Sequence, residues 1–243
     1  MRTFTFAKRI TKEILRDPLT LIFGLGFPLI LLLLLSVIQA NIPVDLFSIE
    51  TLAPGITVFG LSFISLFSAT IISKDRQSSF LQRLYTTPLT ATDFILGYTL
   101  PFIPLSIIQC IVCYVAAILL GLNITVNILY AVLLIIPVSI LYVALGLLCG
   151  SVLNDKQVGG ICGALITNLS AWVSGIWFDL SLMGGALKKI AYALPFVHAV
   201  ELERAVILGN FADVLPHLWI VLIYAVILLV LAVLLFLRQM KRQ

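Results

Sequence analysis

Residues 19–39 read LTLIFGLGFPLILLLLLSVIQ, an apolar run without a single charged side chain. A helix of about 20 such residues is long enough to cross the hydrocarbon core of a bilayer. Hydrophobic residues make up 61% of the 243 positions and charged residues only 11%. A soluble domain typically carries about a quarter charged residues. We therefore expect lipid, rather than water, to surround much of this chain.

Five further apolar stretches follow, so six membrane-spanning helices are predicted, over residues 19–39, 52–72, 94–120, 126–150, 158–178 and 215–237. The segments between them are too short to bury a hydrophobic core of their own. The sequence therefore predicts a single all-α membrane domain over residues 1–243. No soluble enzyme domain and no catalytic residue are expected.

The lysines and arginines orient the predicted helices. With six spans, the two termini and every second loop lie on one side of the bilayer. These segments hold 12 of the 15 basic residues, including five within residues 1–17 and three within the loop 73–93. Basic residues concentrate in cytoplasmic segments. Both termini are therefore predicted to be cytoplasmic, in the cytoplasmic (inner) membrane of a bacterium or archaeon.

Two segments outside the spans have helical patterns of their own. In the first, apolar and basic residues lie on opposite faces of a predicted helix over residues 6–16: Phe6, Ala7, Ile10 and Ile14 against Lys8, Arg9, Lys12 and Arg16. This helix is expected to rest on the lipid of the inner leaflet, and a role in partner binding is an equally open reading. The second segment, 179–214, contains apolar pieces too short to span, which predicts extracellular re-entrant helices between spans five and six.

Residues that could support chemistry are scarce. His198 and His217 are both predicted on the outer side, without a carboxylate or cysteine cluster at metal-ligand spacing, so no metal site is expected. The four cysteines are interpreted as small buried hydrophobic residues. The sequence contains no G-x-x-x-x-G-K-[ST] loop, so no nucleotide cofactor is expected on this chain. The predicted spans also lack the charged residues that ion-coupled carriers commonly use.

Uncharged polar residues and glycines do occur within the spans. Gln109 lies near the middle of the third, where interhelical hydrogen bonding is the preferred reading. Asn168 lies near the middle of the fifth, where facing a cavity and packing between helices are equally open. Two glycine pairs allow either internal packing or a dimer seam: Gly146 with Gly150, and Gly159 with Gly163.

The loop after the second span carries the most specific pattern. Residues 74–97 read KDRQSSFLQRLYTTPLTATDFILG, and apolar residues recur at helical spacing from Phe80 to Tyr85. Pro88 would end this helix, and Thr92-Asp93 would cap the third span. The pattern predicts a short amphipathic helix on the cytoplasmic side. It is suited either to rest on lipid or to enter a groove on a partner.

This loop resembles that of the membrane subunits of ABC-2 type exporters, which have the pattern Arg-Glu-x-Gly-Thr-Leu-Glu-Arg-Leu-x-x-Thr-Pro-Leu. The matching residues are Arg76, Leu81, Arg83, Leu84, Thr86, Thr87, Pro88, Leu89 and Gly97. Gln77 and Gln82 stand where the family has glutamates, so the surface is less acidic than is usual. The resemblance extends to the N-terminal helix and to the outer segment, where Pro195 and Arg204 match.

The resemblance implies a transport subunit of an ATP-driven exporter, built from two permeases and two ABC ATP-binding subunits. ATP and Mg²⁺ would bind the partner ATPase. The second permease would be another copy or a homologue, and no nucleic acid is involved. The implied coupling residues are Arg76, Gln77, Phe80, Leu81, Arg83, Leu84, Tyr85 and Pro88. In this fold the second and fifth spans line the central cavity, which implies Phe59, Phe63, Leu66, Asn168 and Trp172 as substrate-cavity residues.

An aromatic, weakly polar wall favours an amphipathic or hydrophobic substrate, such as a drug, an antimicrobial or a lipid. Efflux from the cytoplasm or the inner leaflet, with multidrug resistance, is expected on this ground. The alternative is a membrane-integral assembly or sensory component that moves nothing. A secondary carrier is a weaker alternative, because the predicted spans carry no charge.

Overall fold

A computed structural model describes residues 2–78, 90–178, 180–182 and 184–240. Every regular element within these ranges is helical, in agreement with the predicted class. We number the helices in chain order: α1 Arg2–Arg16, α2 Pro18–Ala40, α3 Ile49–Gln77, α4 Ala91–Thr99, α5 Phe102–Leu119, α6 Val126–Val152, α7 (Asp155–Val158, Gly159–Ile166 and Thr167–Val173 in succession), α8 Gly185–Tyr192, α9 Pro195–Ile207 and α10 Phe211–Met240. Ile22–Gly26 of α2 and Gly159–Ile166 of α7 are π-helical.

Five helices of the described ranges are long and apolar enough to cross a membrane: Pro18–Ala40, Ile49–Gln77, Thr92–Leu119, Val126–Val152 and Phe211–Phe236. They correspond to the first four predicted spans and the sixth. The predicted fifth span, 158–178, overlaps α7, which is not among the five. This helix ends at Val173 and begins with three polar residues, which lowers its mean hydropathy. The crossing by the predicted fifth span, and with it the side of the membrane on which each terminus lies, stays a prediction.

Helix α3 forms the core of the bundle. Most of its side chains between Leu52 and Ser73 are buried. Helix α6 packs closely along it, because Gly146 and Gly150 carry no side chain there. A Cβ atom at these positions would lie 2.5 Å from the Ser65 carbonyl oxygen and 2.7 Å from that of Ala69. This glycine pair therefore serves internal packing.

The predicted outer segment folds into two short helices, α8 and α9. Most of α9 is buried against the bundle, and Arg204 fixes its position. The guanidinium donates to the Thr51 carbonyl (Nε–O 3.1 Å) in the first turn of α3, and to the Gly175 carbonyl (Nη2–O 2.9 Å) just after α7. One side chain thus joins three elements at this end of the bundle.

The cap of the third span lies two residues earlier than predicted. Thr90, rather than Thr92, is the N-cap residue of α4. Its hydroxyl oxygen accepts from the Asp93 backbone N–H (3.3 Å), and the Asp93 carboxylate accepts from the Thr90 N–H (3.0 Å). This reciprocal capping box satisfies two backbone donors at the start of the helix.

Candidate functional site

Six of the eight predicted coupling residues lie outside the described residues: Phe80, Leu81, Arg83, Leu84, Tyr85 and Pro88. The other two, Arg76 and Gln77, belong to the last turn of α3. Gln77 is exposed, whereas Arg76 is half-buried. The structure therefore shows the base from which the predicted coupling loop leaves, and this base is the candidate site.

Arg76 joins the end of α3 to the end of α6. Its guanidinium donates to the carbonyl oxygens of Ser151 and Leu153. The last carbonyls of a helix have no partner within the helix and carry partial negative charge, so a guanidinium is well suited to bind them. Arg76 thus has a structural contact that the sequence pattern did not reveal.

Asp75 joins the same turn to α1 and α4. Its carboxylate accepts two hydrogen bonds from Arg9, Nη1–Oδ2 at 2.6 Å and Nη2–Oδ1 at 2.7 Å. The Tyr98 hydroxyl donates to Oδ2 as well (2.8 Å). The Asp75 side chain is only 6% exposed, and a buried charge requires such partners. We call Arg9, Asp75, Arg76 and Tyr98 the anchor cluster.

Much of the anchor cluster does not follow from the sequence pattern. The helical pattern singles out neither Asp75 nor Tyr98, and it assigns Arg9, with Lys8, Lys12 and Arg16, to the basic face of α1 that is expected to meet the inner leaflet. The placement of Arg9 is corrected by its two hydrogen bonds to Asp75. The one available signal was the single acid in Lys74-Asp75-Arg76, at the end of a predicted span.

Electrostatics favour the charged form of Arg9. Burial on its own would lower the pKa of Arg9, but the hydrogen bonds and charge of Asp75 outweigh it and raise that pKa above its usual value. Glu13 forms a second ion pair with Arg9 (3.2 Å). Burial raises the pKa of Glu13, the Arg9 charge opposes this rise, and the Asp75 charge adds to it.

An aromatic contact completes the attachment of α1. The Phe6 ring meets Phe94 and Tyr98 of α4 edge to face, at centroid distances of 5.6 and 5.0 Å. It lies directly over Gly97, where any Cβ atom would overlap the ring. The glycine that matched the family pattern therefore permits the close approach of α1 to α4. As predicted, Phe6, Ala7, Ile10 and Ile14 form one buried face, but this face packs on the bundle.

The five predicted cavity residues occupy two different environments. Phe59 and Phe63 are buried in an aromatic cluster with Phe27 of α2, and the Phe27–Phe63 centroid distance is 5.3 Å. Leu66 is half-buried beside Gly163. Asn168 and Trp172 face outward from α7, with Trp172 55% exposed. Within one chain these residues do not form one wall, and their role in a substrate cavity stays a prediction.

Gln109 forms an interhelical hydrogen bond, as its position in the middle of the third span predicts. Its Nε2 donates to the Thr57 carbonyl of α3 at 3.2 Å. Asn168 donates to the Ala164 carbonyl of its own helix (2.7 Å), so its amide is held along α7.

Glu203 of α9 is a buried acid that the sequence analysis did not identify. It is fully buried, and its Oε2 accepts a hydrogen bond from the Tyr114 hydroxyl of α5 at 3.1 Å. Burial raises its pKa to about 8, and the Tyr114 hydrogen bond opposes the rise. No local pattern predicts this burial, because Glu203 lies outside the predicted spans and points into the bundle only after α9 has folded.

The two histidines are joined at the same end of the bundle. The Nδ1 atoms of His198 and His217 are 2.9 Å apart, and His198 Nε2 lies 2.9 Å from the Tyr192 carbonyl oxygen. Since a carbonyl only accepts, His198 Nε2 donates to the Tyr192 carbonyl, and one of the two Nδ1 atoms donates to the other. In the part of the chain described, no three His, Cys, Asp or Glu residues are grouped to hold a metal.

The model of the family "ABC-2 type transporter" matches residues 1–208. "Putative transport permease ycf38" of Porphyra purpurea is 35% identical over 120 residues, which cover 47% of this chain and 41% of that protein. The protein of the same name from Pyropia yezoensis is 33% identical over 119 residues, covering 46% and 41%. The matched part spans about two fifths of each relative. Since the family match covers most of its length, this chain belongs to the ABC-2 type transporter family.

Proposed function

We propose that this chain is the membrane permease subunit of an ATP-driven ABC exporter. The observation that carries the proposal is the anchor cluster. Asp75 and Arg76 are consecutive residues, and they fix the last turn of α3 to α1, α4 and α6. The predicted coupling loop, residues 73–93, begins at this turn, so a force on that loop would act on four helices together.

In this proposal the loop docks on a separate ABC ATP-binding subunit, which binds and hydrolyses ATP with Mg²⁺. Closure of the ATPases moves the anchor cluster, and α3 carries the movement to its other end, where Arg204 links it to α7 and α9. The chain forms one transmembrane domain of six spans over residues 1–243, in which α7 is the fifth span. Both termini lie in the cytoplasm of a bacterium or archaeon.

A second permease, either another copy or a homologue, completes the substrate cavity. Helix α7 supports this arrangement, because one side of it is apolar and exposed in the single chain: Leu165 60%, Leu169 38% and Trp172 55%. Asn168 lies on the same side. Such a wall suits an amphipathic or hydrophobic substrate, such as a drug, an antimicrobial or a lipid. Efflux and multidrug resistance are the proposed roles.

The test is copurification followed by transport. The tagged chain is purified from membranes, the copurifying proteins are searched for a phosphate-loop ATPase, and ATP-dependent substrate movement by the complex is measured in proteoliposomes. We expect a stable complex, and we expect Arg83→Glu to release the ATPase while the permease still inserts. Lys189→Glu on α8, far along the chain from the loop, is the matched control. Full assembly and transport with Arg83→Glu would refute the coupling role of the loop.

Glu203 favours one other candidate, a proton-coupled carrier. The argument against this class was the absence of charge from the predicted spans, and Glu203 places a titratable group inside the bundle. Transport driven by a proton gradient without ATP, and abolished by Glu203→Gln, would select the carrier over the exporter.

A further inference from the structure

Helix α1 has three chemically different sides. The first, with Phe6, Ile10 and Ile14, is buried against the bundle. The second carries Arg9 and Glu13, which are paired with each other and with Asp75. The third side is exposed and basic, with residues at four-residue spacing: Lys8, Lys12 and Arg16.

Two large apolar side chains border the basic side. Phe4 is 73% exposed and Leu15 is 62% exposed. They are eleven residues apart, which is close to three turns, so they lie on the same side of α1. Phe6 lies on the buried face of the helix, whereas Phe4 and Leu15 stay exposed among the described residues.

The contacts of α1 place it at the level of the membrane boundary. Phe6 meets the first two turns of the span Thr92–Leu119, and Arg9 meets the last turn of the span Ile49–Gln77. Helix α1 also leads into the span Pro18–Ala40 through Asp17 alone. At this level an exposed Phe and Leu contact acyl chains, and long basic side chains reach lipid headgroups.

A shallow groove, open to its surroundings, runs along the polar part of the helix, with a volume of about 780 Å³. It is lined by Thr5, Lys8, Arg9, Lys12, Glu13, Arg16 and Asp17. Asp75 balances the charge of Arg9, and the Asp17 carboxylate accepts hydrogen bonds at the start of α2, from the Leu19 N–H and the Thr20 hydroxyl. The basic side chains outnumber the acids, so the groove favours an anionic group such as a phosphate.

We propose that this groove binds the headgroup of an anionic phospholipid. Lys8, Lys12 and Arg16 contact its phosphate, and Phe4 and Leu15 contact its acyl chains. The combination of charge and exposed apolar side chains on adjoining sides distinguishes a lipid from a soluble anion or an acidic protein surface. Because Arg9 connects α1 to the anchor cluster, the bound lipid stabilises the base of the loop. The lipid contact itself does not depend on the proposed transport function.

The test uses the full chain in nanodiscs that contain equal amounts of phosphatidylglycerol and phosphatidylcholine. Native mass spectrometry measures the phosphatidylglycerol retained relative to phosphatidylcholine. Each basic residue near a membrane surface contributes roughly fivefold to the binding of anionic lipid, so we expect K8Q/K12Q/R16Q to lose about 100-fold in relative affinity. K188Q/K189Q, in α8, is expected to retain the wild-type preference.

A second variant separates a lipid from a free anion. F4S/L15S keeps every charge, and we expect it to lose phosphatidylglycerol retention while weak binding of glycerol phosphate is unchanged. Unchanged lipid preference in the triple variant would overturn the proposal. Unchanged retention in F4S/L15S would do the same, since the site would then bind free anions. The proposal would also be overturned if the triple variant lost a copurifying protein and kept its lipid preference, because α1 would then be a protein-binding helix.

Discussion

The two ends of α3 are held in different ways. At the Gln77 end, an ion pair and a guanidinium bound to helix carbonyls fix the chain to α1, α4 and α6. At the Ile49 end, Arg204 binds the carbonyls of Thr51 and Gly175, and it lies 3.5 Å from Glu201. The Gln77 end thus contains a charge pair between residues that are 66 positions apart, whereas the cation at the Ile49 end binds backbone carbonyls and pairs with an acid of its own helix. The difference predicts that charge changes are most costly at the Gln77 end.

The largest effect is expected for Asp75→Asn. It leaves Arg9 without its buried counter-charge, and we expect the free energy of unfolding to fall by about 3 kcal/mol. Thermal unfolding in detergent measures the change, and Asp45→Asn, at an exposed acid, is the control. A double-mutant cycle with Arg9→Gln isolates the pair. Additive losses in the cycle would show that the two residues do not stabilise each other.

The next effect concerns pH at the other end. Glu203 has a pKa of about 8 in the folded chain, above its unfolded value of about 4.3. The folded state therefore binds more protons between these values, and stability falls as pH rises toward 8. Between pH 6 and pH 9 we expect a loss of about 2.7 kcal/mol. Unfolding scans across this range should show a flatter profile for Glu203→Gln, and an identical slope would contradict the buried acid.

At the α1–α4 contact, Gly97→Ala is expected to cost about 1.5 kcal/mol, because the new methyl group overlaps the Phe6 ring. Gly160→Ala is the matched control, since a Cβ atom there has no neighbour within 4 Å. Thermal unfolding compares the two variants, and Phe6→Leu should partly rescue Gly97→Ala. Equal stability of the two alanine variants would show that α1 does not pack on Gly97.

The smallest effect is expected for Arg204→Lys. The charge stays, but an ammonium cannot replace the fork that binds Thr51 and Gly175 together. We expect a loss of about 1 kcal/mol and faster labelling of a cysteine placed at Thr51. Lys188→Arg is the control for a basic exchange at the same end. Unchanged labelling would mean that Arg204 does not hold the start of α3.

Much of the fold follows from local patterns. The spacing of Phe6, Ile10 and Ile14 predicted the buried face of α1, and apolar length predicted the five spans that the structure supports. The same spacing could not place Arg9, because its partner Asp75 is 66 residues away. A periodic pattern reports the face of a helix, and only the tertiary fold supplies what that face meets.

The glycine pairs show the same limit. Gly146-x-x-x-Gly150 and Gly159-x-x-x-Gly163 are identical as motifs, yet the first packs tightly against α3 whereas Gly159 has no neighbour within 4 Å. The candidate site, too, was only partly predictable. The family pattern located the loop and its base, and it could not show that Arg76 binds the carbonyls at the end of α6.

The link between Arg9 and Asp75 also bears on how the chain is made. A chain is synthesised from its N-terminus, so Arg9 leaves the ribosome long before its partner. Helix α1 can reach its final place only after α3 has been inserted and after α4 has brought Phe94, Gly97 and Tyr98 beside it. The docking of α1 therefore comes late in biogenesis, although its residues are translated first. Until α1 docks, the apolar face formed by Phe6, Ile10 and Ile14 stays exposed, and the last turn of α3 lacks its partner for Asp75.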